Sequence, residues 1–217
     1  PPVLGDPEYA SNDPEYLLDF AEVRDYGGAV STLRTPEQAE TAKFWTTNMV
    51  IQTQASYRQL AQAQGLNLLE TARLMAMGNM IATDSLIATY DTKYLYSFWR
   101  PVTAINHTDP VTGEYLVDSL NTWMPAEMTP NFPEYMAGHG SFVSSQAALY
   151  EALLGPTFNV TLSSMATGTM RTYTSAAEMR TEIENARTWG GMHFRSSTEM
   201  AVLLGQQLAS EALATHF

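Results

Sequence analysis

Helix-start and helix-stop signals punctuate this chain at spacings that leave room for helices and little else. Thr35-Pro36-Glu37-Gln38 is a capping box with proline at the first helical position. Asn67 with Glu70, and Ser175-Ala176-Ala177-Glu178, repeat the pattern, and Ser196-Ser197-Thr198-Glu199 opens a last segment. Gly65, Gly155-Pro156 and Gly190-Gly191 are the matching stops. The signals predict helices over about 35–64, 67–98, 140–154, 175–189 and 196–214, with Pro101 ending or kinking the second. Residues 101–138 carry Pro, Gly, Asn and Asp with little periodicity and read as a long loop, a common place for function. Residues 156–174 read as a Thr/Ser/Gly-rich connection. Strand alternation, internal repeats and low-complexity linkers are not visible. Residues 1–34 read as an irregular arm with one helical turn within 14–24, and 35–217 as a single all-α helical bundle.

Composition narrows the function classes. The 217 residues are 45% hydrophobic, enough for one sizeable core. A net charge of −12 repels nucleic acid and anionic membranes, so an anionic substrate needs a local basic pocket set against the global field. The only lysines are Lys43 and Lys93, so a lysine inside a motif stands out. The absence of cysteine excludes disulfides, thiolate metal sites and cysteine nucleophiles. The most apolar stretch, 66–90, is interrupted by Glu70, Arg73, Asn79 and Asp84, and no membrane span is expected. The chain opens on Pro1-Pro2 with no signal peptide in view. Two sequons, Asn106-His107-Thr108 and Asn159-Val160-Thr161, lean towards a secreted or periplasmic protein.

Three polar clusters fall at helix ends. In Lys93-Tyr94-Leu95-Tyr96-Ser97-Phe98-Trp99-Arg100-Pro101, the two cations are seven residues apart and can share one helix face, which suits a tetrahedral oxyanion. A solvated basic face is the competing reading. In Phe132-Pro133-Glu134-Tyr135-Met136-Ala137-Gly138-His139-Gly140, Gly138 allows close backbone approach. His139 sits where a helix N-terminus attracts anions and can exchange a proton near neutral pH. Taken alone it is as readily a local hydrogen-bonding histidine. In Arg187-Thr188-Trp189-Gly190-Gly191-Met192-His193-Phe194, the glycine break lets Arg187 and His193 both point inward.

In this order, the clusters resemble the signature of the vanadium-dependent haloperoxidases and PAP2-type acid phosphatases, and the resemblance covers almost the whole chain. It implies a helical bundle with an oxyanion between helix ends. His193 matches the histidine that ligates vanadium, or attacks phosphorus in the phosphatases. Lys93, Arg100 and Arg187 match the cations on the equatorial oxygens, Gly138 the glycine whose N–H donates to one of them, and His139 the acid–base histidine. The implied cofactor is vanadate, for which phosphate can substitute. The implied activity is oxidation of halide by hydrogen peroxide to hypohalous acid, passed to a small organic acceptor. His139 exchanges the peroxide proton and Lys93 polarises the oxygen under attack. A phosphatase working through a phosphohistidine, or a non-catalytic subunit keeping the fold, are the alternatives. A homo-oligomer is expected, since soluble members of the family often assemble. Phe132 stands where relatives carry phenylalanine or histidine, and Asp84, on the Lys93 helix, is a candidate to orient a site residue. His107 and His216 are not expected to be ligands. The chain departs from the pattern at Ala137 and Ala186, where serines are usual, and at Met136, usually proline.

Overall fold

A computed structural model of the chain describes residues 13–107 and 122–216. Its elements are α1 (Pro14–Tyr26), α2 (Pro36–Phe44), α3 (Met49–Ala63), α4 (Leu68–Tyr96), α5 (Pro101–Asn106), α6 (Gly138–Leu154), β1 (Val160–Ser163), β2 (Met170–Tyr173), α7 (Ala176–Trp189) and α8 (Arg195–Thr215). The helical bundle expected from the capping signals is the observed architecture. Thr35 and Asn67 both close reciprocal capping boxes, and Ser175 accepts from Glu178 N.

Helix α6 is the central pillar, packed against α4, α7 and α8. Every residue from Gly140 to Tyr150 is buried, which its Gly/Ala/Ser-rich sequence permits by letting neighbours approach closely. Gly205 on α8 shows how closely: a Cβ there would lie 2.1 Å from the Ser141 carbonyl oxygen. Aromatic and aliphatic side chains, among them Phe44, Trp45, Ile81, Leu149, Tyr150 and Ile183, fill the main core. A second cluster of Val23, Phe98, Ile105, Tyr135 and Phe194 lies beside the segment carrying His193.

Four regions differ from the sequence reading, the shortest being α5 (Pro101–Asn106), a helix at the start of the span 101–138 read as a loop, of which residues 108–121 lie outside the described residues. The expected turn within 14–24 is the 13-residue helix α1, N-capped by Asp13. Residues 1–12 of the expected arm lie outside the described residues. Helix α1 is built into the bundle: Asp19 Oδ2 accepts Ser196 N at 2.8 Å, Glu22 pairs with Arg195, and the Tyr16 and Phe194 rings are 5.2 Å apart. It thus clamps the start of α8, which has no side-chain cap of its own.

The helix expected over 35–64 breaks at 45–48. Asn48 caps α3 through Val50 N and Ile51 N, while Thr47 turns its hydroxyl to Ser164 at 2.7 Å. Competition from such side chains ends a helix where tertiary partners reward it. The connection over 156–174 contains an antiparallel hairpin, Val160 pairing with Tyr173 and Ser163 with Met170. Val160–Ser163 does alternate apolar and polar, but its partner Met170–Tyr173 reads apolar, polar, polar, apolar, so the pair gives only a weak strand signal. The hairpin steadies the break: Glu182 Oε1 accepts from Trp45 Nε1 (2.8 Å), Tyr173 Oη (2.6 Å) and Arg171 (2.7 Å).

Among the described residues, no helix is long and apolar enough to cross a membrane. The sequon residue Asn106 is committed to Val102 O, Trp123 O and Trp123 N, while Thr108 lies outside the described residues.

Candidate functional site

Lys93 lies in the last turn of α4 and is fully buried, although it is a lysine. Its Nζ donates to Pro133 O at 2.9 Å and Glu134 O at 2.8 Å, leaving one of three N–H bonds for another acceptor. Arg100 does not continue its helix face, as the seven-residue spacing suggests. Ser97 takes a left-handed conformation (φ 47°) and ends α4, so Arg100 reaches the site as the residue preceding α5. Its Nε donates to Phe132 O at 3.0 Å and its Nη1 to Met192 O at 2.8 Å. The Phe132 ring lies 5.1 Å from both Lys93 Nζ and Arg100 Cζ, so it supports the two cations by its face. The loop 132–134, rigid by these contacts, is the platform of the site.

Arg187 and His193 are buried on either side of the glycine break. Gly191, at φ 78°, makes the turn, and a Cβ there would meet Gly27 O at 2.3 Å. Arg187 Nη1 donates to Trp45 O at 3.2 Å, a carbonyl freed by the break between α2 and α3, and Nη2 approaches Met192 Sδ at 3.1 Å. His193 Nε2 lies 3.0 Å from Arg100 Nη1, and its Nδ1 lies 2.8 Å from Glu134 Oε1.

Gly138 and His139 are the first two residues of α6, whose N-cap Ala137 makes no side-chain cap bond. The first intrahelical bond is Ser141 N to Ala137 O, so the amides of 138–140 precede the helix's own ladder. A Cβ at Gly138 would meet only the Thr89 methyl at 3.8 Å. Packing does not require glycine there, and the space is open for something else.

Burial dominates the electrostatics. It lowers the pKa of Lys93, with Arg100 adding to the effect and Glu134 opposing it. It pushes Arg187 down to about 9, with Arg100 adding. His193 is held well below its ordinary value by burial, then by Arg100, Lys93, Arg187 and His139; His139 is likewise lowered by burial and Arg187. Both imidazoles are neutral near pH 7. Glu134, with no exposed surface, is raised by burial and pulled back by Arg100 and Lys93. Lys93 and Arg100 therefore share one fully buried carboxyl, Glu134, while Arg187 feels the half-buried Glu127.

Several buried nitrogens have no hydrogen-bond partner: Arg100 Nη2, Arg187 Nε and His139 Nε2. Buried donors on charged groups are costly to leave unmade. The two guanidinium donors need an anionic acceptor, which would also reverse the depressed basicity of the cations, whereas the neutral His139 can offer Nε2 as an acceptor. Lys93, Arg100, Gly138, His139, Arg187 and His193 are thus brought together, with Phe132 behind two of them. Asp84 is not. Nine residues before Lys93 on α4, it falls half a turn out of phase and is exposed to solvent. The group that sequence reasoning missed is Glu134. A carboxylate inside Pro-Glu-Tyr reads as a loop surface charge, and only its burial against His193 reveals it.

Residues 73–216 match the family model described as VCPO second helical-bundle domain. The chain belongs to this family. The vanadium chloroperoxidase of Curvularia inaequalis is 25% identical over 134 residues, covering 52% of this chain and 22% of that protein. Among solved structures, the first bacterial vanadium-dependent iodoperoxidase superposes with a TM-score of 0.73 at 22% identity, covering 93% of this chain and 50% of its own. A holo-type bacterial vanadium-dependent chloroperoxidase gives 0.69 at 18% identity, covering 97% and 51%. The fold is that of these haloperoxidases. The chain spans about half the length of these structural relatives and less of the curated one.

Proposed function

We propose that the chain carries the oxyanion site of a vanadate-dependent haloperoxidase. The observation that supports this most is the set of buried cations, Lys93, Arg100 and Arg187, with unpaired N–H bonds beside the neutral His193. Similarity to a vanadium chloroperoxidase and a vanadium-dependent iodoperoxidase supports vanadate among oxyanions.

The residues fit the group. His193 Nε2 would be the ligand to vanadium. Lys93, Arg100 Nη2, Arg187 Nε and the Gly138 amide would hold its oxygens. Bound vanadate supplies a Lewis acid that activates hydrogen peroxide towards halide without changing oxidation state. The chain's own residues do the rest. His139, neutral and with Nε2 unpartnered, is placed to take a proton from incoming peroxide and return it to the departing oxygen. Lys93, with one N–H left over, would donate to an oxygen of the bound group and polarise it. The Phe132 face keeps water from the two cations and strengthens their field. Hypohalous acid is then free to halogenate a small organic acceptor. Ala137 provides no hydroxyl donor, so anion affinity is set by the cations and amides alone.

The test is to load the protein with orthovanadate, remove the excess, and assay bromide- and peroxide-dependent halogenation of a phenolic dye beside His193→Ala. Halogenation in the wild type alone is expected. Stoichiometric vanadium without halogenation, together with cleavage of an aryl phosphate, would replace the reading with a phosphatase. Failure to bind vanadate at all would leave a structural bundle.

A further inference from the structure

We propose that Glu134 is a positioning residue that locks His193 in the tautomer presenting a bare Nε2 to the oxyanion. The inference rests on the reading of His193 as the vanadate ligand for its purpose, though not for its geometry.

The argument starts from what each nitrogen can meet. Arg100 Nη1 lies 3.0 Å from His193 Nε2, and a guanidinium is a donor only. Nε2 must therefore be the acceptor, with its lone pair facing the cations. The ring proton is then on Nδ1, where Glu134 Oε1 receives it at 2.8 Å. A ring whose Nε2 accepts is neutral, so this is a hydrogen bond from a neutral ring to a carboxyl. The two partners constrain the ring from opposite sides, and only one tautomer satisfies both.

The carboxyl is itself held. Oε1 also accepts from Phe194 N at 3.0 Å, and Phe194 is the residue preceding α8. The Glu134 backbone is fixed by Lys93 Nζ on its carbonyl and by donation of its N–H to Phe98 O at 2.9 Å. One residue thus ties together the lysine, the histidine and the start of α8. By accepting the Nδ1 proton, Glu134 polarises the ring from the side opposite Nε2, so it strengthens Nε2 as a ligand without facing the anion itself. A partner of this kind typically changes ligand affinity by about 10- to 100-fold.

Side-chain 15N NMR of the anion-free protein reads the tautomer directly. His193, identified by its loss in His193→Ala, is expected to be neutral with the proton on Nδ1. A proton on Nε2 would overturn the proposal whatever the variants do. Orthovanadate titration is the second readout. Glu134→Ala is expected to weaken binding about 10- to 100-fold and to let both tautomers appear. Glu134→Gln, which keeps an acceptor oxygen, is expected to restore most of the affinity and the single tautomer. Wild-type affinity and an unchanged tautomer in Glu134→Ala would reduce Glu134 to a cap for Phe194 N–H. If Glu134→Ala does not fold, the wild-type tautomer still decides. If His193→Ala binds vanadate as tightly as wild type, the ligand reading falls, while the tautomer separately judges Glu134.

Discussion

Replacing Arg187 by methionine should make the anion-free protein more stable while abolishing anion binding. Arg187 is fully buried, its Nε has no partner, and its remaining bonds go to one carbonyl at 3.2 Å and one thioether sulfur at 3.1 Å. Folding lowers its pKa from the ordinary guanidinium range to about 9. That depression corresponds to a cost of ~5 kcal/mol for holding the charge in place, at about 1.4 kcal/mol per tenfold change in proton affinity. The folded pKa lies below the unfolded one, so the cost is present in full at neutral pH, below both values. Loss of the two bonds returns about 2 kcal/mol against the variant, and the unpaired Trp45 carbonyl adds to that. The net gain is then about 2 kcal/mol, within the range seen when buried charges give way to apolar side chains of similar volume. For a chain of this size it raises Tm by roughly 4–8 °C. Thermal unfolding in anion-free buffer, repeated with phosphate as a redox-silent probe, checks both halves. Phosphate at about 100 times its Kd should stabilise the wild type by ~2.7 kcal/mol and leave Arg187→Met unmoved. A variant less stable than wild type without anion, yet responsive to phosphate, would refute the claim that the site's cations are strained in the absence of an anion.

Ala137→Ser should restore a hydroxyl at the uncapped start of α6 and tighten orthovanadate binding by about 1 kcal/mol, roughly fivefold, measured by equilibrium titration. Gly205→Ala places a methyl group 2.1 Å from Ser141 O and should lower stability by about 3 kcal/mol or more, read from the urea midpoint, because backbone rather than a flexible side chain stands in the way. Stability should fall as pH drops below about 6.5. The folded pKa values of His139 and His193 are lowered, so the unfolded chain binds more protons there, at up to ~1.4 kcal/mol per pH unit for each. Raised Glu134 takes up a proton on folding and offsets about one of the two. Urea titrations at several pH values should therefore show a net slope near one histidine's worth, which His139→Asn removes.

The chain's local chemistry was sufficient for the helices and for the composition of the site. Caps at Thr35, Asn67 and Ser175 act within a few residues and can be read in sequence because both partners are close along the chain. The three clusters named Lys93, Arg100, Gly138, His139, Arg187 and His193 because their residue types and order form a signature that local structure need not disclose. Tertiary structure decided everything that depends on partners distant in sequence. Thr47 ends a helix for the sake of Ser164, and Trp45 thereby offers its carbonyl to Arg187. Asp19 on α1 closes the start of α8, so a segment that reads as an arm becomes part of the wall behind His193. Asp84 looked eligible because it shares a helix with Lys93, but helical phase turns it to solvent. Glu134 carries no local signal of its role, which only its burial against His193 discloses. The sequence specifies which groups are present and where helices begin; which charges lose their water, and which partners they meet when they do, is settled only when the bundle closes around them.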